Sequence, residues 1–468
     1  MIPVVPESAK GQRVFKLKLH WWILIGIVVG ALVGTAINRT YYPTISQQAR
    51  QEIFGDTTWS EADEAAHMKE IQQREKILLQ QTLWGAPIYW IGTLFLKGLK
   101  MIVIPLVVSS LLAGIVGLGD IRKLGRMGGR ALGWYLTTSL LAVVTGLVLV
   151  NIVRPGVGPQ IALPTAANAP AAKSFWEMLD GMIPSNPIAA AANFELIQVL
   201  VFTILFGCFT LAAKEEYRKI VGNLANAVFE IMMKLTMAII SIAPIGIGAL
   251  IATLVATTGP ELFTKLIGYF LTVLAALMIH LFVTVPALFW LITRRNPYKV
   301  LRTMAPALLT AFSTASSSGT LPVTLNRVEN HVGVSNKISS FVLPIGATVN
   351  MDGTALYECV AVIFVSQLYA AANPDFTLTF ANQIMIVFLA LMVSIGAAGI
   401  PHAGLVMMVI IFEAIGLPTA LTAVLWAVDR PLDMCRTVVN VWSDTMGATA
   451  IAHGEKEIDE SVLFRPAP

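Results

Sequence analysis

The sequence predicts an all-α polytopic membrane protein with eight transmembrane helices and two re-entrant helical hairpins. Three observations lead there. The chain is 56% apolar and only 13% charged, where a soluble domain carries about 25% charged residues, and its mean hydropathy is +0.72. Its apolar residues form long runs separated by short basic clusters. Two of those runs are interrupted in the middle by Ser, Gly and Pro.

Unbroken runs predict helices near 19–37, 86–116, 130–153, 192–213, 222–256, 261–293, 337–369 and 418–452, each long enough for a hydrocarbon core of about 30 Å. The first follows Lys10, Arg13, Lys16 and Lys18 and lacks a small-residue cleavage signal, so it reads as an uncleaved first helix. Further basic clusters lie at Arg122, Lys123, Arg126 and Arg130, at Lys214, Arg218 and Lys219, and at Arg294, Arg295, Lys299 and Arg302. Placing all of them in the cytoplasm requires both broken runs, about 300–332 and about 376–416, to enter and leave on one side. The first then dips in from the cytoplasm and the second from outside, with both termini cytoplasmic.

Between helices the sequence is less specific. Segment 39–85 is polar and mildly acidic, external on this topology, with the pattern of an amphipathic helix over 61–82. Asn38-Arg39-Thr40 matches a glycosylation sequon, but it abuts the membrane and reads as chance. Residues 154–190 read as a second external loop. Cys208, Cys359 and Cys435 lie in or beside apolar segments with no CxxC pair, so they read as small core residues. The net charge of +4 does not suggest nucleic acid, because the basic residues sit between apolar spans.

The last helix carries the chemistry. Asp429, Asp433, Arg436, Asn440 and Asp444 are spaced 4, 3, 4 and 4 apart, which at 3.6 residues per turn puts them on one face. A charge near the middle of a bilayer costs roughly 2.5–3.5 kcal/mol on insertion scales. Such a stripe needs partners in the protein or in a solute, and suits a small zwitterion with cations. The competing reading is a set of ion pairs that locks helices together.

Three breaks support the first reading. Segment 311–322 has a Ser run with Gly319 and Pro322, and segment 394–401 ends Gly399-Ile400-Pro401; neither continues as an ordinary helix. Backbone freed in this way must face protein or a water-filled cavity. Interrupted apolar segments in corresponding halves point to a substrate site at an inverted-repeat interface. Segment 346–354 places Asn350, Met351 and Asp352 beside Gly353 inside the seventh apolar run. This oxygen-rich nest suits a hard monovalent cation better than zinc or copper; alternatively, Asp352 only caps the second half of a kinked helix.

These motifs together, with Ala355-Leu356-Tyr357 after the third break, resemble the glutamate transporter family of dicarboxylate/amino acid:cation symporters over about residues 86–455. The resemblance implies a homotrimer in which a transport domain moves as an elevator against a scaffold. It implies a cytoplasmic N-terminus (1–18), scaffold helices one and two with the external insertion 39–85 (19–129), and transport-domain helix three (130–153). An external loop with scaffold helices four and five follows (154–256), then a transport-domain core of helices six to eight with both hairpins (257–455) and a cytoplasmic tail (456–468).

Residue by residue, the resemblance implies that Arg436 pairs with a substrate side-chain carboxylate and Asp433 with its ammonium. Asn440 and Ser317 would take the α-carboxylate. Ala315, Ser316, Met351, Thr354, Thr437, Ile400 and Gly404 would complete the pocket. It implies sodium sites at Asn350, Asn440, Asp444 and the Gly346 carbonyl, at Tyr135, Thr138, Ser139, Asn350 and Asp352, and at Thr348 with the carbonyls of Ser394, Ile395 and Ala397. Sodium ions are thus expected as co-transported ions. Relatives carry an Arg at the place of Ala315 or of Met434; this chain has neither, and Arg430 is nearby in sequence. Glu358 matches animal acidic carriers, where it is tied to proton coupling, and a carboxyl within an apolar helix favours its neutral form; packing alone is the competing role.

The chemistry favours an acidic amino acid, aspartate or glutamate, because a planar guanidinium grips a carboxylate by two bonds and a neutral substrate leaves Arg436 unpaired. A C4-dicarboxylate is the alternative, though it meets repulsion at Asp433. An enzyme is not expected: Ser318-Gly319 with His280, His331 or His402 lacks a nucleophile elbow and a base at helical spacing. A channel is disfavoured by the lack of repeated filter residues. His280 reads as a packing residue, and His402 as a spectator exposed at the second hairpin tip. The protein is expected in the plasma or inner membrane, with the lipid bilayer, an acidic amino acid and its own copies as partners.

Overall fold

A computed structural model describes residues 19–55, 67–82, 84–117, 121–157, 183–193, 195–258, 262–373, 376–395 and 402–463. The expectations for 1–18, most of the loop 154–190, and Ala397 and Ile400 fall outside these residues. Every regular element among the described residues is helical, and one isolated antiparallel bridge joins Val334 to Ile458. Among the described residues, five helical stretches are long and apolar enough to cross a membrane: Gly85–Gly117, Arg126–Val153, Glu215–Ser241, Lys265–Thr293 and Asn336–Ala371.

Helix α1 (Leu19–Thr40) leads into a helical hairpin, α2 (Tyr42–Phe54) and α3 (Met68–Gln81). Of the amphipathic pattern expected over 61–82, residues 61–66 fall outside the described ones and Met68–Gln81 forms α3; α2 was not anticipated. Glu75 is buried between them, accepting from Tyr42 Oη (2.7 Å) and Ser46 Oγ (2.5 Å). Ile45, Ala49, Leu78 and Leu79 close a small apolar cluster with Ala256.

Helices α4 (Gly85–Gly117) and α5 (Ile121–Val153) follow, then a short α6 (Pro187–Ala192) and α7 (Leu196–Ala212). On α5 the periodicity is legible in burial. Leu136, Leu140, Val144, Val148 and Ile152 form an exposed stripe, while Tyr135, Thr138, Ser139, Ala142 and Val143 are buried. An apolar outer face is what a bilayer requires of a helix whose inner face carries hydroxyls.

The run expected at 222–256 is two helices, α8 (Glu215–Ser241) and α9 (Ala243–Thr258), parted at Ile242. Pro244 at the second position of α9 gives the reason, since a proline is tolerated in the first turn and not inside a helix. Helix α9 packs along α1 through small residues. A Cβ on Gly26 would lie 2.1 Å from the Pro244 carbonyl oxygen, and one on Gly30 2.2 Å from that of Gly248. Glycine there lets the two backbones touch.

Helices α10 (Leu262–Ile279) and α11 (Val285–Thr293) are joined by a π turn, His280–Thr284. The first broken run becomes α12 (Pro297–Thr314) and α13 (Ser317–Arg327), the second α16 (Phe380–Ile395) and α17 (Ala403–Ala414). Between them, α14 (Asn336–Val349) and α15 (Asp352–Ala372) meet at Asn350 and Met351. The run expected at 418–452 is one helix, α18 (Thr422–Glu455), with Pro431 inside it. Every residue of α15 from Asp352 to Ser366 is buried, so this helix forms the centre of a unit that α5, α10, α16 and α18 surround.

Candidate functional site

All five polar residues of the α18 stripe are buried, none more than 3% exposed. Two clusters share them. At the first, Arg436 Nε donates to Asp433 Oδ1 (2.8 Å), with Nη2 2.7 Å from the same oxygen and Nη1 3.4 Å from Asp429 Oδ1. The guanidinium lies 4.3 Å over the Tyr357 ring, a cation–π contact that strengthens where water is excluded. Arg430 Nη1 stands 3.7 Å from Asp433 Oδ2, so a second guanidinium reaches the site from the position noted in the sequence.

Asn440 links this cluster to the chain break. Its Oδ1 accepts from the Gly353 N–H (2.7 Å), and its Nδ2 faces Thr354 Oγ1 (3.3 Å) and Met351 Sδ (3.5 Å). Gly353 is required: a Cβ there would sit 2.5 Å from the Arg436 carbonyl oxygen. Gly404 brings the second hairpin to the same place, since a Cβ on it would lie 3.1 Å from Arg436 Nη1 and 2.9 Å from Thr354 Cγ2. Thr437 spends its hydroxyl on the Asp433 carbonyl (2.8 Å). Ala315 adopts a left-handed φ of 50° at the break of the first hairpin, Ser316 caps α13 by accepting from Gly319 N–H (3.0 Å), and Ser317 is buried beside them.

The second cluster is oxygen-rich. Asn350 Nδ2 donates to Asp444 Oδ1 (2.9 Å) and Ser443 Oγ (3.1 Å). A Cβ on Gly346 would lie 2.4 Å from Asp444 Oδ1, so the carboxylate rests directly on that glycine. Asp352 is fully buried, accepting from Ser139 Oγ (2.6 Å) and Thr138 Oγ1 (3.2 Å), with His280 Nε2 3.3 Å from its other oxygen. Thr138 also reaches Asn350 Oδ1 (3.2 Å). These carboxylates, hydroxyls and amide oxygens could hold a hard cation, which prefers oxygen to the nitrogen and sulfur ligands of zinc or copper. Tyr135 instead gives its hydroxyl to the Val342 carbonyl (2.7 Å). Thr348 and Ser394 likewise bond carbonyls in their own helices, Ile345 and Leu391 (both 3.0 Å), and Ile395 ends α16.

Three contacts lay beyond the sequence reading. His402 is not exposed: it is 3% accessible, with Nδ1 2.5 Å from Asp429 Oδ2 and its backbone N–H donating to Asp433 Oδ2 (2.9 Å). Its burial depends on where the second hairpin docks, which local sequence does not encode. His280 sits in the π turn, an irregularity frequent at functional sites, and Tyr357 supplies the ring beneath Arg436. Glu358 is fully buried, and neither of its oxygens has a hydrogen-bond partner among the described residues.

A helical chain with long apolar helices, an apolar outer surface and a stripe of buried charges has the build of a membrane transport protein. Residues 19–454 match the Sodium:dicarboxylate symporter family, and the chain belongs to it. It is 34% identical over 424 residues to "Excitatory amino acid transporter 3" of Homo sapiens, covering 79% of this chain and 80% of that protein. Identity to "Excitatory amino acid transporter 1" of Ambystoma tigrinum is 34% over 442 residues (80% and 79%). To "Excitatory amino acid transporter" of Caenorhabditis elegans it is 33% over 413 residues (78% and 81%).

Proposed function

We infer that the protein is a sodium-coupled secondary symporter of acidic amino acids, L-aspartate or L-glutamate. The observation that carries this is the buried opposition of Arg436 and Asp433, with Asn440 one turn further along α18. A guanidinium for the side-chain carboxylate and a carboxylate for the ammonium are the two poles an acidic amino acid needs. The two poles also pair with each other, which avoids leaving either charge alone in a dry site. Ser317, Ala315, Ser316, Met351, Thr354, Ile400, Gly404 and Thr437 complete the substrate pocket.

Sodium neutralises Asp444 with Asn350, Asn440 and the Gly346 carbonyl, and Asp352 with Thr138, Ser139, Asn350 and Tyr135. A third ion is held by Thr348 with the Ser394, Ile395 and Ala397 carbonyls. Coupling follows because moving the domain is cheap only when its buried charges are matched. The moving unit comprises 130–153 and 257–455, the scaffold 19–129 and 154–256, in an elevator-type homotrimer of eight crossings and two hairpins with both termini cytoplasmic. Glu358 carries a proton, on the ground that its buried carboxyl has no hydrogen-bond partner among the described residues; a Glu358→Gln carrier whose uptake keeps the parental pH dependence disproves that role.

A C4-dicarboxylate is favoured by one observation. Asp433 already faces Arg430, Arg436 and the His402 N–H, and is balanced without an ammonium. Competition against labelled L-aspartate decides: L-glutamate should block uptake and succinate and L-serine should not, whereas succinate as strong as L-glutamate would hand the site to dicarboxylates.

A further inference from the structure

His402 stands at the start of α17 with φ 64°, a left-handed conformation that a residue with a Cβ rarely adopts. A backbone held there persists only where its surroundings fix it, and such points gather at ligand clamps and switches. Two of the fixing contacts belong to the site already described. The His402 N–H donates to Asp433 Oδ2 (2.9 Å), and ring Nδ1 lies 2.5 Å from Asp429 Oδ2. The third is aromatic: the imidazole leans on the indole of Trp426, with ring centroids 5.3 Å apart.

Trp426 stands three residues ahead of Asp429, at the head of the polar face of α18. It is fully buried and also meets Phe95 of α4, with centroids 5.8 Å apart in an edge-to-face arrangement, a geometry that aromatic pairs favour. Phe95 is itself seated in a notch on α9, where a Cβ on Gly246 would lie 2.4 Å from Phe95 Cγ. Helix α4 packs on α17, and α9 on α18. A row of rings thus runs from a notch in α9 to the carboxylates of the site. It crosses the boundary between scaffold and moving unit, and in that respect this inference rests on the reading above.

The indole pays for this position. Its Nε1–H is buried with no acceptor among the described residues, and a donor left so is worse off than in water. Packing against Phe95 and His402, and not a hydrogen bond of its own, therefore holds the ring in place. Removing the Phe95 ring opens space into which the indole can turn, and His402 then loses the surface it leans on. We propose that Phe95 is a positioning residue: through Trp426 it holds the tip of the second hairpin on the Asp429 and Asp433 carboxylates. The grip on substrate then depends on where the moving unit stands against α4 and α9. Phe95 itself touches no substrate. When the unit slides along the scaffold, Trp426 leaves Phe95 and the hairpin tip is freed.

Hydrogen exchange at the amides of residues 402–407, in the full chain in sodium-containing nanodiscs, tests this without any assumption about the substrate. Phe95→Ala should speed exchange there by about tenfold, and Trp426→Leu by about as much. The double variant should stay within about twofold of Trp426→Leu alone, because the middle link is then already gone. Kd for L-aspartate on the same samples should follow, rising about tenfold in Phe95→Ala, mostly through faster dissociation, and no further in the double variant. Phe95→Leu, which fills the α9 notch without a ring, carries the same comparison if Phe95→Ala does not fold. Parental exchange at 402–407 in the Phe95 variants would overturn the proposal. So would a Phe95 change that adds the same factor with and without Trp426, which is what mere loosening of the scaffold would do. A wild type that binds no aspartate in sodium overturns the substrate reading alone, and the exchange result still decides the role of Phe95.

Discussion

The α1–α9 seam and the α15–α18 contact are both so close that only glycine fits, yet they are close for opposite reasons. At the seam, Gly26 and Gly30 meet the carbonyls of Pro244 and Gly248, and no ionised group takes part. At α15–α18, Gly353 meets the Arg436 carbonyl and its N–H is held by Asn440, within a lattice of charges and amides. The first contact wins dispersion energy from backbone approach. The second brings a broken helix against a charged one, so that the Asp433–Arg436 cluster and the Asp352–Asp444 cluster share one buried wall. Small residues at a helix crossing therefore do not identify a site; small residues beside buried, mutually satisfied charges do.

The sharpest way to break this contrast is Arg436→Ala. It removes the guanidinium that Asp429 and Asp433 share, leaving them His402 and Arg430, and removing one partner of a buried pair costs about 3–5 kcal/mol. Uptake of acidic amino acids should fall at least about 100-fold, and retained uptake of labelled aspartate would show that the stripe is only a structural lock. Gly30→Val probes the other region. With 2.2 Å available to its Cβ the helices must part, at about 1–3 kcal/mol. The melting temperature should drop while the surviving protein binds aspartate with parental Kd; a changed Kd would tie the seam to the site. Smallest of all is Glu75→Gln in the α2–α3 hairpin. It exchanges charge-assisted bonds for neutral ones, worth about 1 kcal/mol, and should leave initial uptake rates within twofold.

Much of this was legible before the fold. Charges inside an apolar run have no bland placement, so the 4, 3, 4, 4 spacing in α18 announced a buried stripe. The break at Asn350 and Met351 was likewise signalled by an amide, an acid and Gly353 within an apolar run. The division at Ile242 was missed because apolar residues continue across it, although Pro244 marked the start of α9. Helix α2 was missed because a short polar helix has little apolar periodicity; what holds it is tertiary, Glu75 on the partner helix and the cluster of Ile45 and Ala49 with Leu78, Leu79 and Ala256. The placing of His402 against Asp429, 27 residues away in sequence, is a matter of tertiary docking, and no local pattern carries it.

The most direct measurement is uptake of labelled L-aspartate into proteoliposomes under an inward sodium gradient, compared with choline in place of sodium. The account predicts concentrative uptake with sodium and none above background with choline. Equal uptake in the two, or uptake driven by a pH gradient without sodium, would contradict it, because the oxygen-rich cluster at Asp352 and Asp444 would then couple nothing to sodium.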